Sequence, residues 1–145
     1  MSAKIVQPYL FFGGRCEEAL EFYKHAVGAQ VEMVMRFDQS PEQPPEGMLQ
    51  PGFEKKVMHS SFRVGDTVLF GSDGCEEGSG GKYHGFSLAL SVPTEAEADR
   101  AFDALAAGGK VTMPLVKTFW SPKYGMLTDK FGIEWMVMVP GGPPQ

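Results

Sequence analysis

Residues 10–33 read LFFGGRCEEALEFYKHAVGAQVEM, and residues 90–113 read LSVPTEAEADRAFDALAAGGKVTM. Placed one above the other, 80 residues apart, Leu10 falls on Leu90, Phe22 on Phe102 and Ala26 on Ala106. Gly28 then falls on Gly108, Val31 on Val111 and Met33 on Met113. Ordinary residue usage gives about one or two identities by chance in such a window. Each copy reads strand, helix, glycine, strand. A unit this long, present twice, indicates a duplicated βα-module rather than a solenoid.

Working outward, Ile5 to Phe12 is a short apolar strand that ends at Gly13-Gly14. Glu17 to Ala26 reads as a helix with Ala19, Phe22, Tyr23, Ala26 and Val27 on its apolar face, stopped by Gly28. Gln30 to Phe37 follows as a strand. Residues 38–54 hold four prolines and four acids and read as an exposed loop. Lys56 to Val64 and Thr67 to Gly71 make a hairpin around Gly65-Asp66. The second half repeats the plan. Phe86 to Val92 is a strand, and Thr94-Glu95-Ala96-Glu97 is a capping box. The helix that it opens turns Ala98, Ala101, Phe102 and Leu105 inward and stops at Gly108-Gly109. Lys110 to Leu115 is the next strand. Thr118 to Tyr124 is aromatic and irregular with room for a short strand, Asp129 to Gly132 is a turn, and Glu134 to Val139 is the last strand. The expected fold is α+β: two βαβββ modules forming curved, mainly antiparallel sheets around a cleft. The modules span about 4–71 and 86–140 of a single domain of 145 residues, joined by a glycine-rich connector at 72–85.

Composition narrows the function classes. A hydrophobic fraction of 43% with 21% charged residues is that of a soluble globular chain. No apolar run reaches the length of about 18 residues that a membrane span needs, and the start lacks a leader's apolar stretch, so a cytoplasmic location is expected. A net charge of −5 without a basic cluster argues against nucleic acid as a partner. Two cysteines make no disulfide framework. Cys16 lies near a helix start, where the dipole lowers a thiol pKa, but has no His partner nearby in sequence and reads as an ordinary free thiol.

The stretches Pro8-Tyr9-Leu10-x-Phe12-x-Gly14, Glu18-Ala19-Leu20-Glu21-Phe22-Tyr23, Val57-Met58-His59, Gly108-Gly109-x-Val111-x-Met113-Pro114-Leu115, Thr118-Phe119-Trp120 and Asp129-x-Phe131-Gly132-x-x-Trp135 together resemble the glyoxalase/bleomycin resistance/dioxygenase family, the vicinal oxygen chelate superfamily. Within it they are similar to the PhnB-like branch, often labelled "3-demethylubiquinone-9 3-methyltransferase domain". Nothing resembles the βαβ unit and glycine-rich turn of a common methyltransferase cofactor site.

The resemblance implies where a metal would sit: His or Glu on the first and last strands of each module. Those positions carry Gln7 and Ser87, then Leu69 and Met136 when residues 64–69 are aligned with 131–136. Gln, Ser, Leu and Met are a poor set for a divalent cation, so no metal and no cofactor is expected. If Gln7 and Ser87 face the cleft, period two brings Tyr9, Phe11, Ala89 and Ser91 with them, and Glu134, Met136 and Met138 from the last strand. Such an aromatic, Met-rich surface suits a flat or hydrophobic small molecule; core filling or a dimer interface is the equal alternative. His25 ends the first helix and His84 lies in the connector. His59 shares one strand face with Ser61 and Arg63, and hairpin loop length decides whether that face lines the cleft. Trp120, near Phe119 and Tyr124, is a candidate ligand cap or subunit contact. The candidate binding residues are thus Gln7, Tyr9, His59, Ser87, Trp120, Glu134 and Met136. The expected function is binding of a small, partly apolar molecule by a homodimer. The rivals are a metal-using lyase, isomerase or oxygenase that recruits His59 and Glu134, and a structural module with a filled cleft.

Overall fold

Apolar side chains three and four residues apart give each helix one face to bury, and each helix lies on its own sheet. The computed structural model describes residues 4–77 and 85–141, and the chain divides into two compact units, Met1–Gly81 and Lys82–Gln145.

In the first unit, β1 (Tyr9–Phe11), α1 (Cys16–Val27), β2 (Gln30–Arg36), β3 (Val57–Val64) and β4 (Thr67–Ser72) follow in order. They form a four-stranded sheet ordered β1-β4-β3-β2, with β1 parallel to β4 and the other pairs antiparallel. Short 3-10 turns at Phe37–Gln39 and Phe53–Lys55 punctuate the proline-rich loop, burying Phe37 and Phe53. The second unit repeats the order with β5 (Leu88–Ser91), α2 (Glu95–Ala106), β6 (Lys110–Val116), β7 (Lys123–Thr128) and β8 (Glu134–Val139). Its sheet runs β5-β8-β7-β6, again with one parallel pair. The α+β reading and the doubled βαβββ order hold. No described helix is long and apolar enough to cross a membrane.

Three expectations change. Strand β7 spans Lys123–Thr128, later in the chain than the short strand expected within Thr118–Tyr124. Gly125 occupies an inward position there, and a Cβ on it would lie 2.9 Å from the Phe102 ring and 3.0 Å from both Leu115 N and Met113 O. The glycine makes room for the helix, and it also erases the alternation by which a strand is recognised.

The first helix buries Cys16, Ala19, Leu20, Tyr23 and Ala26, so Ala19, Tyr23 and Ala26 face inward as expected while Cys16 and Leu20 take the place of Phe22 and Val27. Tyr23 is the central ring, stacked on Phe62 with centroids 6.0 Å apart. The first two strands of each unit keep the 80-residue offset, but the helices Cys16–Val27 and Glu95–Ala106 are offset by 79, the difference of their first residues 16 and 95. Phe102 is therefore the counterpart of Tyr23, and its identity with Phe22 is an accident of spelling. The second helix buries Ala98, Ala101, Phe102 and Leu105, as expected.

The last-strand alignment also shifts by one. Tyr9 pairs with Phe70 and Ala89 with Met136. With Tyr9 equivalent to Ala89, the counterpart of Met136 is Phe70 rather than Leu69. Leu69 pairs with Phe62, and both are buried beneath α1.

Candidate functional site

The two helices begin in different ways, and the difference shows which polar groups are structural. Thr94 caps α2 from its own sequence, its Oγ1 accepting from Glu97 N at 3.2 Å. The first helix has no such residue. Its opening amides are met instead by Asp73, just beyond β4 and 1% exposed. Asp73 Oδ1 accepts from Gly14 N at 2.9 Å and Cys16 N at 2.7 Å, and Oδ2 accepts from Val57 N at 2.8 Å. A helix N-terminus preceded by two glycines is a natural anion seat; here the protein's own carboxylate fills it. Asp129 plays a comparable part in the second unit. It accepts from Phe131 N (2.9 Å), Ile133 N (3.0 Å) and Trp135 Nε1 (2.9 Å), closing the turn between β7 and β8.

Cys16 is fully buried, and burial pushes its thiol up to about 12, with the Ser60 hydroxyl pulling the other way and the charges of Asp73 and Glu17 adding to the rise. Its position at the start of α1 does not activate it, because desolvation outweighs the dipole. Cys16 is a core residue.

The hairpin β3–β4 has a two-residue loop, since Val64 pairs with Thr67 across Gly65-Asp66. That settles the orientation of β3: Ser60 and Phe62 face α1, and His59, Ser61 and Arg63 share the other face with Phe70 and Tyr9. On this face Tyr9 Oη lies 2.9 Å from His59 Nδ1. The bond spans β4, whose Phe70 ring lies 5.8 Å from Tyr9 and 5.2 Å from His59. Phe11 stacks on Tyr9 at 5.0 Å. The result is a patch of four rings with one internal hydrogen bond. Tyr9 and Phe11 are each 41% exposed. Burial raises the Tyr9 phenol above its usual range; the thiol of Cys16 adds to the rise and the Ser72 hydroxyl opposes it. Gln7 stands two residues before β1 and donates from Nε2 to Val68 O at 3.1 Å. Arg63, farther along β3, is held by Glu32 at 2.6 Å.

The second unit carries the remaining candidates. Met136 pairs with Met126, and Met126 with Met113, so three thioether side chains lie in a row across β8, β7 and β6 on the face away from α2. Met138 pairs with Tyr124 on the same face, and Tyr124 packs edge-on to Trp120 with centroids 4.5 Å apart. The Trp120 loop is pinned by Thr118 Oγ1, which accepts from Ser121 N at 2.9 Å and Trp120 N at 3.3 Å. Phe119 is wholly exposed and takes no part in that cluster. Glu134 opens β8 opposite Thr128, and Ser87 precedes β5, half-buried. His25 is exposed, 3.9 Å from Glu21, and His84 lies outside the described residues. The candidates therefore fall into two groups: Gln7, Tyr9 and His59 in the first unit, and Ser87, Trp120, Glu134 and Met136 in the second. Tyr124 stands beside Trp120 as expected, and Phe70 and Met126 are the neighbours that sequence reasoning missed. The first was misaligned by one residue and the second lies on β7 beyond the expected bounds of its strand.

The superfamily's metal does not fit this donor set. With the register corrected, the positions hold Gln7 and Phe70 in one unit and Ser87 and Met136 in the other; none offers an imidazole, thiolate or carboxylate. No three His, Cys, Asp or Glu among the described residues come together as a metal cage.

Known proteins place the chain. Protein YjdN of Escherichia coli is 35% identical over 141 residues, covering 92% of this chain and 94% of its own. Protein PA1353 of Pseudomonas aeruginosa has a crystal structure that superposes with a TM-score of 0.81 at 37% identity, covering 97% of this chain and all of its own. A Bacillus cereus PhnB protein, described as a putative 3-demethylubiquinone-9 3-methyltransferase, superposes with a TM-score of 0.72 at 27% identity, covering 94% of this chain and 99% of its own. Residues 5–137 match the sequence profile shared by one family, and the chain belongs to the Glyoxalase/Bleomycin resistance protein/Dioxygenase superfamily.

Proposed function

We propose that the protein binds a small, partly apolar molecule through the sheet faces that its helices leave uncovered, and that it does so without a catalytic metal. The observation that carries the reading is the ring patch of Tyr9, Phe11, His59 and Phe70. It is an apolar ring surface with a single polar pair set into it, which is the make-up of a small-molecule site. The Met-lined face of the second unit is a surface of the same kind, because thioether side chains adapt to irregular apolar shapes. A metal-using reaction is the weaker reading, since Gln7, Phe70, Ser87 and Met136 make no divalent-cation set. Methyl transfer is likewise weaker, since β1 pairs with β4 rather than with β2 and the described residues form no βαβ unit of the usual methyltransferase cofactor site.

The same reading makes the protein a cytoplasmic homodimer. Two free cysteines favour a reducing compartment, and the exposed Val31, Met33 and Val34 on edge strand β2 favour a subunit contact. A thermal-shift screen of divalent metals and small aromatic compounds tests the proposal. Aromatic ligands should raise the midpoint by mass action and metals should not. A purified protein that retains a stoichiometric divalent metal would overturn it.

A further inference from the structure

The Tyr9–His59 pair carries more than apolar contact. Its hydrogen bond joins Tyr9 Oη to Nδ1 of the imidazole at 2.9 Å, and no other described residue hydrogen-bonds the ring. A neutral imidazole has one nitrogen that donates and one that accepts, and the partner of the first decides the role of the second. The phenol is the natural donor in this pair. Its oxygen is a poor acceptor, being conjugated with the ring, and burial keeps its proton in place. Nδ1 is then the accepting nitrogen and the proton resides on Nε2.

We infer that His59 Nε2–H is a fixed hydrogen-bond donor in the ring patch, and that the ligand is a planar ring bearing an oxygen acceptor such as a ketone carbonyl. This rests on the small-molecule reading above and adds the chemistry that the ligand must carry. The rings of Tyr9, Phe11 and Phe70 supply flat apolar surface, and Nε2–H is the polar point that orients what lies on it. Tyr9 has a second role: it holds the tautomer, so it acts on the ligand through His59.

The experiment compares two shape-matched neutral probes, 2-acetylnaphthalene and 2-ethylnaphthalene, titrated into the full chain by NMR. Both should bind the unaltered protein. His59→Phe should weaken the ketone by about five-fold relative to the hydrocarbon, the worth of one neutral hydrogen bond. Tyr9→Phe should give a smaller loss in the same direction. Nitrogen-15 spectra of the imidazole should show the proton on Nε2 in the unaltered protein and a mixture of tautomers in Tyr9→Phe. If neither probe binds, the small-molecule reading itself fails. If both bind but His59→Phe weakens them equally, or the proton resides on Nδ1, the inference is overturned and the binding reading stands. The spectra keep the question decidable should His59→Phe not fold.

Discussion

Asp73 offers the sharpest test of how the first unit is held together. It is buried, and its two oxygens serve three backbone amides from two segments far from it in sequence: Gly14 and Cys16 at the start of α1, and Val57 at the start of β3. In Asp73→Ala those amides lose their acceptor together. Cys16 and Val57 are wholly buried, so water cannot replace the carboxylate, and each orphaned amide costs about 2 kcal/mol. Gly14 is half-buried and recovers part of its loss by hydration, at a cost of about 1 kcal/mol. The sum is about 5 kcal/mol, comparable to the whole stability of many domains. Asp73→Asn can keep the two Oδ1 bonds but turns an amide N–H toward Val57 N, for a loss of about 2 kcal/mol. Thr94→Ala, the matching change at α2, removes one exposed cap bond of 3.2 Å and costs about 1 kcal/mol. Urea unfolding followed by circular dichroism should rank the four proteins: unaltered, Thr94→Ala, Asp73→Asn, Asp73→Ala. An Asp73→Ala protein as stable as Thr94→Ala would refute the account of Asp73 as the tertiary cap of α1.

Other outcomes follow from named contacts. Thiol reagents should modify the half-buried Cys75 in the folded protein and reach Cys16 only on unfolding. Because the folded Cys16 thiol is raised from 9 to about 12, its contribution to stability is complete below 9 and is lost as pH climbs from there toward 12, which alkaline unfolding of Cys16→Ser should lessen. Arg36 holds the Glu17 carboxyl below its ordinary range. That contribution is present above the unfolded value of about 4.3 and disappears as pH falls through the lower folded value. The pair is exposed, so Glu17→Gln should cost less than about 1 kcal/mol at neutral pH, less still in high salt, and nothing in strong acid. Gly125→Ala drives a methyl against Phe102 and the β6 backbone and should lower stability by about 1–3 kcal/mol in thermal unfolding; an unchanged midpoint would mean that α2 shifts freely.

Most of the architecture was legible because strands and helices announce themselves locally. Glu134 to Val139 is a mostly apolar run bounded by a glycine turn and a proline, and its expected bounds match β8. Ala98, Ala101, Phe102 and Leu105 face the sheet as their spacing requires. What escaped depended on partners distant in the chain. Gly125 hid the run of β7 past Tyr124 because its missing side chain is explained only by Phe102 overhead. The true counterpart of Phe102 is Tyr23, because the second unit has one residue fewer before its helix and one more after it. Asp73 sits in a Gly-rich stretch that reads as a connector, and its role exists only when Gly14, Cys16 and Val57 are folded around it. His59 was visible as a candidate, but its face hung on a loop length. Once Val64 pairs with Thr67, His59 must share a face with Tyr9. Leu69 was misplaced for the same kind of reason, since only the strand pairing shows that Phe70 answers to Met136.

The central claim is that the Tyr9, Phe11, His59 and Phe70 face takes a small planar ligand with no metal between them. The most direct measurement is NMR chemical-shift mapping of 2-acetylnaphthalene on the full chain before and after exhaustive treatment with a chelator. The account predicts the same dissociation constant in both samples, with the largest shifts at Tyr9, His59 and Phe70. Binding that vanishes with the chelator and returns with a divalent cation, or shifts that leave these residues untouched, would contradict it.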